Sequence, residues 1–115
     1  MPTSLTVSIL FFDALSSKQL YELLRLRSAV FVVEQECIYQ DIDNKDQNAT
    51  HVLGYIDNEL VAYTRVFGPG DYFKEASIGR VLVKSEHRIF GRGKEIVQAS
   101  MDWLTKTYEQ PIRIS

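Results

Sequence analysis

The sequence contains a single cysteine, Cys37, among its 115 residues. An internal disulfide and an all-cysteine metal site are therefore excluded, and a reducing compartment such as the cytoplasm is expected. The apolar runs are too short to cross a bilayer, and the opening MPTSLTVSILFF lacks the basic start and cleavage site of a signal peptide. A strong charge is also missing: the net charge is −2, so no global field attracts nucleic acid. We therefore expect neither a membrane nor a nucleic acid as partner.

The remaining composition is typical of a soluble globular protein, with 45% hydrophobic and 24% charged residues. The length suffices for one hydrophobic core, and the chain shows no repeat, low-complexity tract or internal linker. We therefore predict a single domain over residues 1–115.

The first half of the chain reads as a strand, a helix and a loop. Residues 5–11 are rich in β-branched and aromatic types, which predicts a strand. The period then changes in SSKQLYELLRLRSAVFVVEQ, where Ser16 and Gln19 form a potential capping box. Residues 34–50 are polar and irregular, which indicates a loop with at most a short helix. The residues on the predicted helical face are Leu20, Leu23, Leu24, Arg27, Val30 and Phe31.

The second half begins with two β-rich runs, HVLGYI and LVAYTRVF, whose connection DNE predicts a hairpin. A third run, ASIGRVLV, ends in residues that are apolar on both faces, as in a central strand. A helix is predicted from about Gly91 to Thr107, and Pro111 opens a final strand fragment. The apolar stripe of this helix contains Val97, Met101, Leu104 and Tyr108.

The stretch HRIFGRGK, residues 87–94, connects the third run to the helix. Unpaired N–H groups at a helix start bind anions, glycine permits close approach, and the basic side chains add charge. A simple strand-to-helix turn among solvated charges explains the same pattern equally well. The P-loop and the dinucleotide fingerprint are excluded, because the glycine spacing is wrong for the first and position 96 is isoleucine in the second.

Several polar residues in apolar surroundings are candidates for a functional site. His51 is a natural base because its ordinary pKa lies near neutrality, although strand parity also allows a structural role. Arg65 and Arg80 lie within apolar strands, where a charge faces a cleft or forms a buried pair. Tyr63 shares a strand face with Arg65, and Arg27 on the helix has the same two interpretations.

The acidic loop DIDNKD presents Asp41, Asp43 and Asp46, which raises the question of calcium. The glycine and the continuing ligands of an EF-hand are missing, so a surface loop with turn-forming residues is favoured. We predict no metal site.

The pattern R-x-x-G-x-G after an apolar strand resembles the acyl-CoA pyrophosphate loop of the GCN5-related N-acetyltransferase superfamily. The stretches LYELLRLRSAVFVVEQECIYQDIDNKD, ATHVLGY, LVAYTRVFGPG and IGRVLV occur in the order of its ElaA-like branch and cover nearly the whole chain. The resemblance implies an α+β acyl-CoA N-acyltransferase fold with a mixed, mostly antiparallel central sheet flanked by helices. It also implies that the C-terminal elements after the fifth strand are lacking.

The resemblance further implies acetyl-CoA as co-substrate and an amine-bearing small molecule or peptide as acceptor. Pantetheine is expected beside the strand end formed by Val81, Leu82 and Val83. The pyrophosphate is expected on the loop, at Arg88, Gly91, Arg92, Gly93 and Lys94. Glu34 is expected to face the acceptor cleft, which makes it a second candidate base beside His51. We expect Tyr63, Arg65 and Arg80 to contact the acceptor.

Two other functions stay open at this point. One is a non-catalytic acyl-CoA-binding module, and the other is an oligomeric assembly protein that reuses the fold. We hypothesise that a homodimer covers the edge left by the expected truncation. The acidic balance, together with the glutamate and aspartates expected near the cleft, weakly favours a cationic acceptor.

Overall fold

Five strands form one sheet in the order β1-β2-β3-β4-β5 in the computed structural model, which describes residues 4–108 and 112–114. The pairs β1–β2, β2–β3 and β3–β4 are antiparallel, whereas β4 and β5 are parallel. The predicted mixed, mostly antiparallel sheet is confirmed. The elements are β1 (Thr6–Phe11), α1 (Ser17–Arg27), β2 (Thr50–Ile56), β3 (Glu59–Phe67), β4 (Ala76–Val83), α2 (Arg92–Thr107) and β5 (Ile112–Ile114).

The two helices cover opposite faces of the sheet, and each closes one apolar cluster. The α1 face buries Leu23 against Leu53 and Leu82. The α2 face buries Ile96 and Leu104 against the other side of β2, β3 and β4. Strand residues alternate between the two faces, so a polar side chain on the α1 face is separated from α2 by the whole sheet.

The predicted capping box at the start of α1 is present, because Ser16 Oγ accepts from Gln19 N and Gln19 Oε1 accepts from Ser16 N. After α1 the chain widens into a π-helical stretch, Ser28–Glu34, with Gln35 N donating to Val30 O over five residues. This stretch contains three valines, whose branched side chains weaken the α-helix preference. The loop that follows contains one short 3-10 turn, Asp46–Asn48, as predicted.

The predicted hairpin is present as β2 and β3, but its turn is shorter than the predicted DNE. Asp57 and Asn58 alone occupy the turn, with φ of 49° and 66°, and Glu59 already belongs to β3. Two consecutive left-handed residues are the geometry of a type I′ turn, which fits the right-handed twist of paired strands.

Helix α2 begins one residue later than predicted, and its buried stripe is rotated. The fully buried positions recur every four residues, whereas Val97, Met101 and Tyr108 are only partly buried. Pro111 lies outside the described residues. No helix in the described part of the chain is long and apolar enough to cross a membrane. The buried positions of α2 are Arg92, Ile96, Ser100 and Leu104.

Candidate active site

A β-bulge interrupts β4 on the face covered by α1. Tyr63 pairs with Leu82 and Arg65 pairs with Gly79, so two steps along β3 correspond to three along β4. The extra residue lies at Arg80, whose φ of 49° is left-handed. A bulge bends its strand and withdraws backbone groups from the ladder. The backbone at Arg80 and Val81 is thereby released from regular pairing with β3.

The opposite edge of β4 is only partly paired. Ala76, Ser77 and Ile78 pair with β5, and among the described residues no strand continues this pairing along 79–83. An exposed strand edge accepts an extended ligand through the same N–H and C=O groups that would bind another strand. Val81 and Val83, two of the positions predicted for pantetheine, lie on this segment. Leu82, the third, turns its side chain into the core of the α1 face.

The glycine loop connects the open edge of β4 to the start of α2. A 3-10 turn, Ser85–Phe90, precedes Gly91, whose φ of 73° is left-handed, and α2 begins at Arg92. The first N–H groups of this 16-residue helix have no helical acceptor, and its dipole adds positive potential there. The arrangement suits a phosphate group. A side chain at Gly93 would make only an ordinary van der Waals contact with Val83. Steric crowding therefore does not require glycine at this position.

The basic side chains of the loop differ in where they point. Lys94 and Arg88 are exposed, as expected for charges that meet an anion. Arg92 is only 4% exposed, forms a 2.7 Å ion pair with Glu95 and lies over the ring of Phe90. Its side chain is therefore used inside the fold, and only its backbone N–H remains for an anion.

Arg88 contacts both the strand edge and the helical layer. Its Nε donates to Val83 O at 2.9 Å, and its Nη1 lies 2.6 Å from Glu34 Oε1. The two side chains are about two-fifths exposed. Glu34 lines a cavity of about 550 Å³ between the π-helical stretch and the hairpin end, rather than the cleft at the bulge. The structure thus joins the predicted base to a predicted cofactor residue.

Three arginines and three aspartates form a closed ring of ion pairs, which we call the charge ring. Arg27 pairs with Asp41 and Asp46, Arg65 with Asp43 and Asp46, and Arg80 with Asp41 and Asp43. The N–O distances lie between 2.8 and 3.3 Å. Every carboxylate of the acidic loop therefore bridges two guanidinium groups, and the ring as a whole is neutral.

The charge ring decides between the two interpretations of the buried arginines. Arg27 and Arg65 are 0% and 2% exposed, and their charges are compensated by the loop, as the buried-pair alternative requires. Burial works to lower the pKa of Arg27, but its interactions with Tyr63, Asp46 and Asp41 together hold the pKa above the ordinary value. For Asp43, burial favours protonation, but hydrogen bonds and charge from Arg65 hold its pKa below the ordinary value. Among the described residues no group of histidine, cysteine or acidic side chains is arranged to hold a metal.

His51 lies beside the charge ring and has no exposed surface. One ring nitrogen, Nδ1, is 2.5 Å from Tyr63 Oη, and Nε2 is 3.0 Å from Asp46 O. Burial, followed by the nearby positive charges of Arg27 and Arg65, lowers the pKa of His51, although Asp46 acts in the other direction. The placement is that of a structural residue, which corrects the expectation of a base open to the acceptor.

Tyr63 is also placed differently from the expectation. Its side chain is 0% exposed, and burial raises the pKa of its hydroxyl well above the usual range. Its ring stacks on His51, with centroids 5.8 Å apart. Tyr63 therefore supports the site from inside the core and does not line a cleft.

A cleft of about 420 Å³ opens beside the bulge. Gly79, Arg80 and Val81 form one wall, so the cleft reaches the backbone that the bulge releases. Arg65 and Ser77 also line it, together with several aromatic rings. Two of the three predicted acceptor residues, Arg65 and Arg80, are thus brought together here.

The comparisons with known proteins agree with this geometry. Residues 18–110 match the acetyltransferase (GNAT) family. The chain belongs to this family. Among its relatives, protein ElaA of Escherichia coli strain K12 is 43% identical over 98 residues, which are 84% of this chain and 64% of ElaA. A putative acetyltransferase of Bacillus subtilis strain 168 is 34% identical over 88 residues, 73% of this chain and 58% of that protein.

Two solved structures resemble the fold closely. The crystal structure of Escherichia coli ElaA has a TM-score of 0.88 at 38% identity, covering 96% of this chain and 76% of that one. The structure of an acyl-CoA N-acyltransferase from Pseudomonas aeruginosa has a TM-score of 0.89 at 32% identity, covering 96% and 78%. The predicted GNAT fold and ElaA-like branch are confirmed. The chain spans about 64% of the length of the ElaA sequence it matches.

Some residues of this GNAT site were not singled out by sequence reasoning. Phe31, Tyr39 and Phe73 line the cleft, and they come from the π-helical stretch, from the loop after it and from the segment before β4. The sequence predicts turn-forming roles for the aspartates of the charge ring and does not identify them as the partners of the buried arginines. The sequence contains one signal for this pairing. Three acidic residues lie in the loop and three arginines lie in otherwise apolar elements, so the two sets match in number.

Proposed function

We propose that this GNAT domain is an acyl-CoA-dependent N-acyltransferase that transfers an acetyl group from acetyl-CoA to an amine. The observation that carries the proposal is the continuity of three features along one path. The bulge at Arg80 and Val81, the open edge of β4 and the glycine loop follow one another without interruption. The similarity to an acyl-CoA N-acyltransferase structure supports the same conclusion.

In this proposal the pantetheine arm lies along the open edge and hydrogen-bonds the backbone of Val81 and Val83. The pyrophosphate is held by backbone N–H groups of residues 91–94 and by the exposed cations Arg88 and Lys94. Arg92 contributes through its backbone, since its guanidinium is paired with Glu95. A released N–H at the bulge is suited to polarise the thioester carbonyl.

The acceptor amine attacks from the cleft at the bulge. Its nitrogen forms a bond to the thioester carbon while the carbon–sulfur bond breaks, so CoA leaves as a thiolate. The surplus proton of the nitrogen passes to water or to the departing thiolate, because no carboxylate or histidine is among the described residues that line the cleft. Glu34 lines the other cavity and is paired with Arg88, so it is not assigned the role of base in this step. His51 and Tyr63 position β2 and β3 from within the core.

A non-catalytic acyl-CoA-binding module is the second candidate. The observation in its favour is that His51 is buried and Glu34 is engaged by Arg88. Thiol release from acetyl-CoA, followed over a panel of amines, separates the two. Amine-dependent release of free CoA supports the transferase, whereas saturable binding without release on any amine supports the module.

A cytoplasmic location and a homodimer stay predictions. Light scattering at several protein concentrations tests the dimer, and a constant monomer mass would contradict it.

A further inference from the structure

The cleft at the bulge is walled by aromatic rings. Phe31 and Phe67 are nearly buried and form its floor, whereas Tyr39 and Tyr72 are 46% and 43% exposed. Phe73 completes the set, with its ring centroid 4.6 Å from that of Tyr72. Five rings surround a cleft of about 420 Å³. They offer a flat apolar ligand a large contact area, and ordering these rings costs little side-chain entropy.

The charges of the cleft do not suit a polycation. Among the described residues that line the cleft, Arg65 and Arg80 are the only charged ones, and none is a carboxylate. The aspartates close to these arginines are consumed in the charge ring, where each already accepts from two guanidinium groups. An ammonium group entering the cleft therefore finds no free acid to pair with.

Two further cations lie over rings that line the cleft. Lys45 Nζ lies 5.3 Å from the ring centroid of Tyr72, and the Arg113 guanidinium lies 4.1 Å from that of Phe73. Arg80 itself lies over Tyr39 at 4.8 Å. Tyr39, Tyr72 and Phe73 therefore each already have one ring face in contact with a cation of the protein, which disfavours a second cation on the same ring.

We propose that the cleft takes an acceptor in which a single amino group is carried on an aromatic body. This inference rests on the proposed function for the transfer step, but the binding it describes is measurable without turnover. It differs from the expectation of a cationic acceptor, because Glu34 and the three loop aspartates, the acidic residues expected near the cleft, are all paired.

The same wall favours the reactive form of the amine. The aromatic walls withdraw a bound amine from water, and no carboxylate is among the described lining residues to compensate a positive charge, so the amine is shifted towards its neutral form. Only the neutral amine has the lone pair that attacks the thioester. The cleft thereby reduces the demand on a general base, which agrees with the absence of one from its lining.

The test is calorimetric binding of three amines to the protein in the presence of CoA: 2-phenylethylamine, 2-cyclohexylethylamine and spermidine. We expect 2-phenylethylamine to bind most tightly and spermidine to bind at least about tenfold more weakly, since its charged amino groups would lose hydration without gaining an ion pair or an aromatic contact. Tyr39→Leu and Tyr72→Leu should each weaken the binding of 2-phenylethylamine by about fivefold, which is the contribution of one aromatic pair. Tyr21→Leu is the control, since Tyr21 is 71% exposed on α1 and lies outside the cleft.

Tighter binding of spermidine, no measurable binding of 2-phenylethylamine, or equal loss in the Tyr21→Leu control would overturn the inference. Binding of the aromatic amine without any acetyl transfer would leave the inference standing and overturn the proposed transferase. Transfer to spermidine in preference to the aromatic amine would do the reverse.

Discussion

Arg88 and Glu34 form an ion pair, with Nη1 and Oε1 2.6 Å apart, at the point where the glycine loop meets the end of the π-helical stretch. The same guanidinium donates to the carbonyl of Val83 at the open edge of β4. In the proposed function, the CoA pyrophosphate needs this cation. The pair therefore sets a carboxylate of the protein in competition with a phosphate of the ligand.

Glu34→Gln should increase the affinity for acetyl-CoA. Removing the carboxylate frees Arg88 for the pyrophosphate, and an exposed pair of this kind contributes at most about 1 kcal/mol, which corresponds to a gain of about fivefold. Calorimetric titration with acetyl-CoA measures the change. Glu36→Gln, a neighbouring exposed acid, is the control and should leave the affinity unchanged. A loss of affinity in Glu34→Gln would contradict the competition.

Asp46→Asn should strongly destabilise the fold. The carboxylate of Asp46 bridges Arg27 and Arg65, and its loss leaves two buried guanidinium groups with incomplete compensation. Removing one partner of a buried pair costs about 3–5 kcal/mol of unfolding free energy. Urea unfolding measures it, with Asp13→Asn at an exposed site as the control. A change below about 1 kcal/mol, the size of a surface pair, would show that the ring is dispensable.

Stability should fall below about pH 6.5, the ordinary pKa of histidine. Burial lowers the pKa of His51 in the folded protein, so the unfolded chain binds a proton first as the pH falls. The stabilisation is complete above the unfolded pKa and decreases by up to about 1.4 kcal/mol per pH unit until the folded pKa is reached. Asp43 adds a further loss of stability at more acid pH. Because its pKa is lowered in the folded protein, this loss begins as the pH falls below the ordinary pKa of aspartate.

Unfolding free energies measured from pH 8 to pH 5 check this prediction. His51→Gln should remove most of the slope below pH 6.5, whereas His87→Gln, at the other histidine, should keep it. An unchanged slope in His51→Gln would mean that another group is responsible.

The regular elements could be predicted because each depends on local pattern. The Ser16–Gln19 capping box, the β2–β3 hairpin and the strand-loop-helix order around Gly91 are all set by residues close together in the chain. The open edge and loop of the candidate site follow from that order and from the family resemblance.

The partners of the buried charges could not be predicted in the same way. Asp41, Asp43 and Asp46 lie in an irregular loop, and only the folded chain shows that they meet Arg27, Arg65 and Arg80. The direction of a single side chain is equally non-local: Arg92 turns inward to Glu95, although its neighbours in the sequence face solvent. His51 is buried because the loop packs over β2. The hydrophobic periodicity of the sequence does not indicate this packing.

The central claim, that the glycine loop and Arg88 hold an acyl-CoA, is tested most directly by titrating acetyl-CoA into the protein and into Arg88→Glu. The account predicts one saturable site in the unchanged protein and affinity lower by about tenfold or more in Arg88→Glu, since a charge-assisted contact is lost and a repulsive one added. Arg25→Glu, an exposed position on α1, is the matched control and should bind normally. No saturable binding, or equal affinity in Arg88→Glu, would contradict the account.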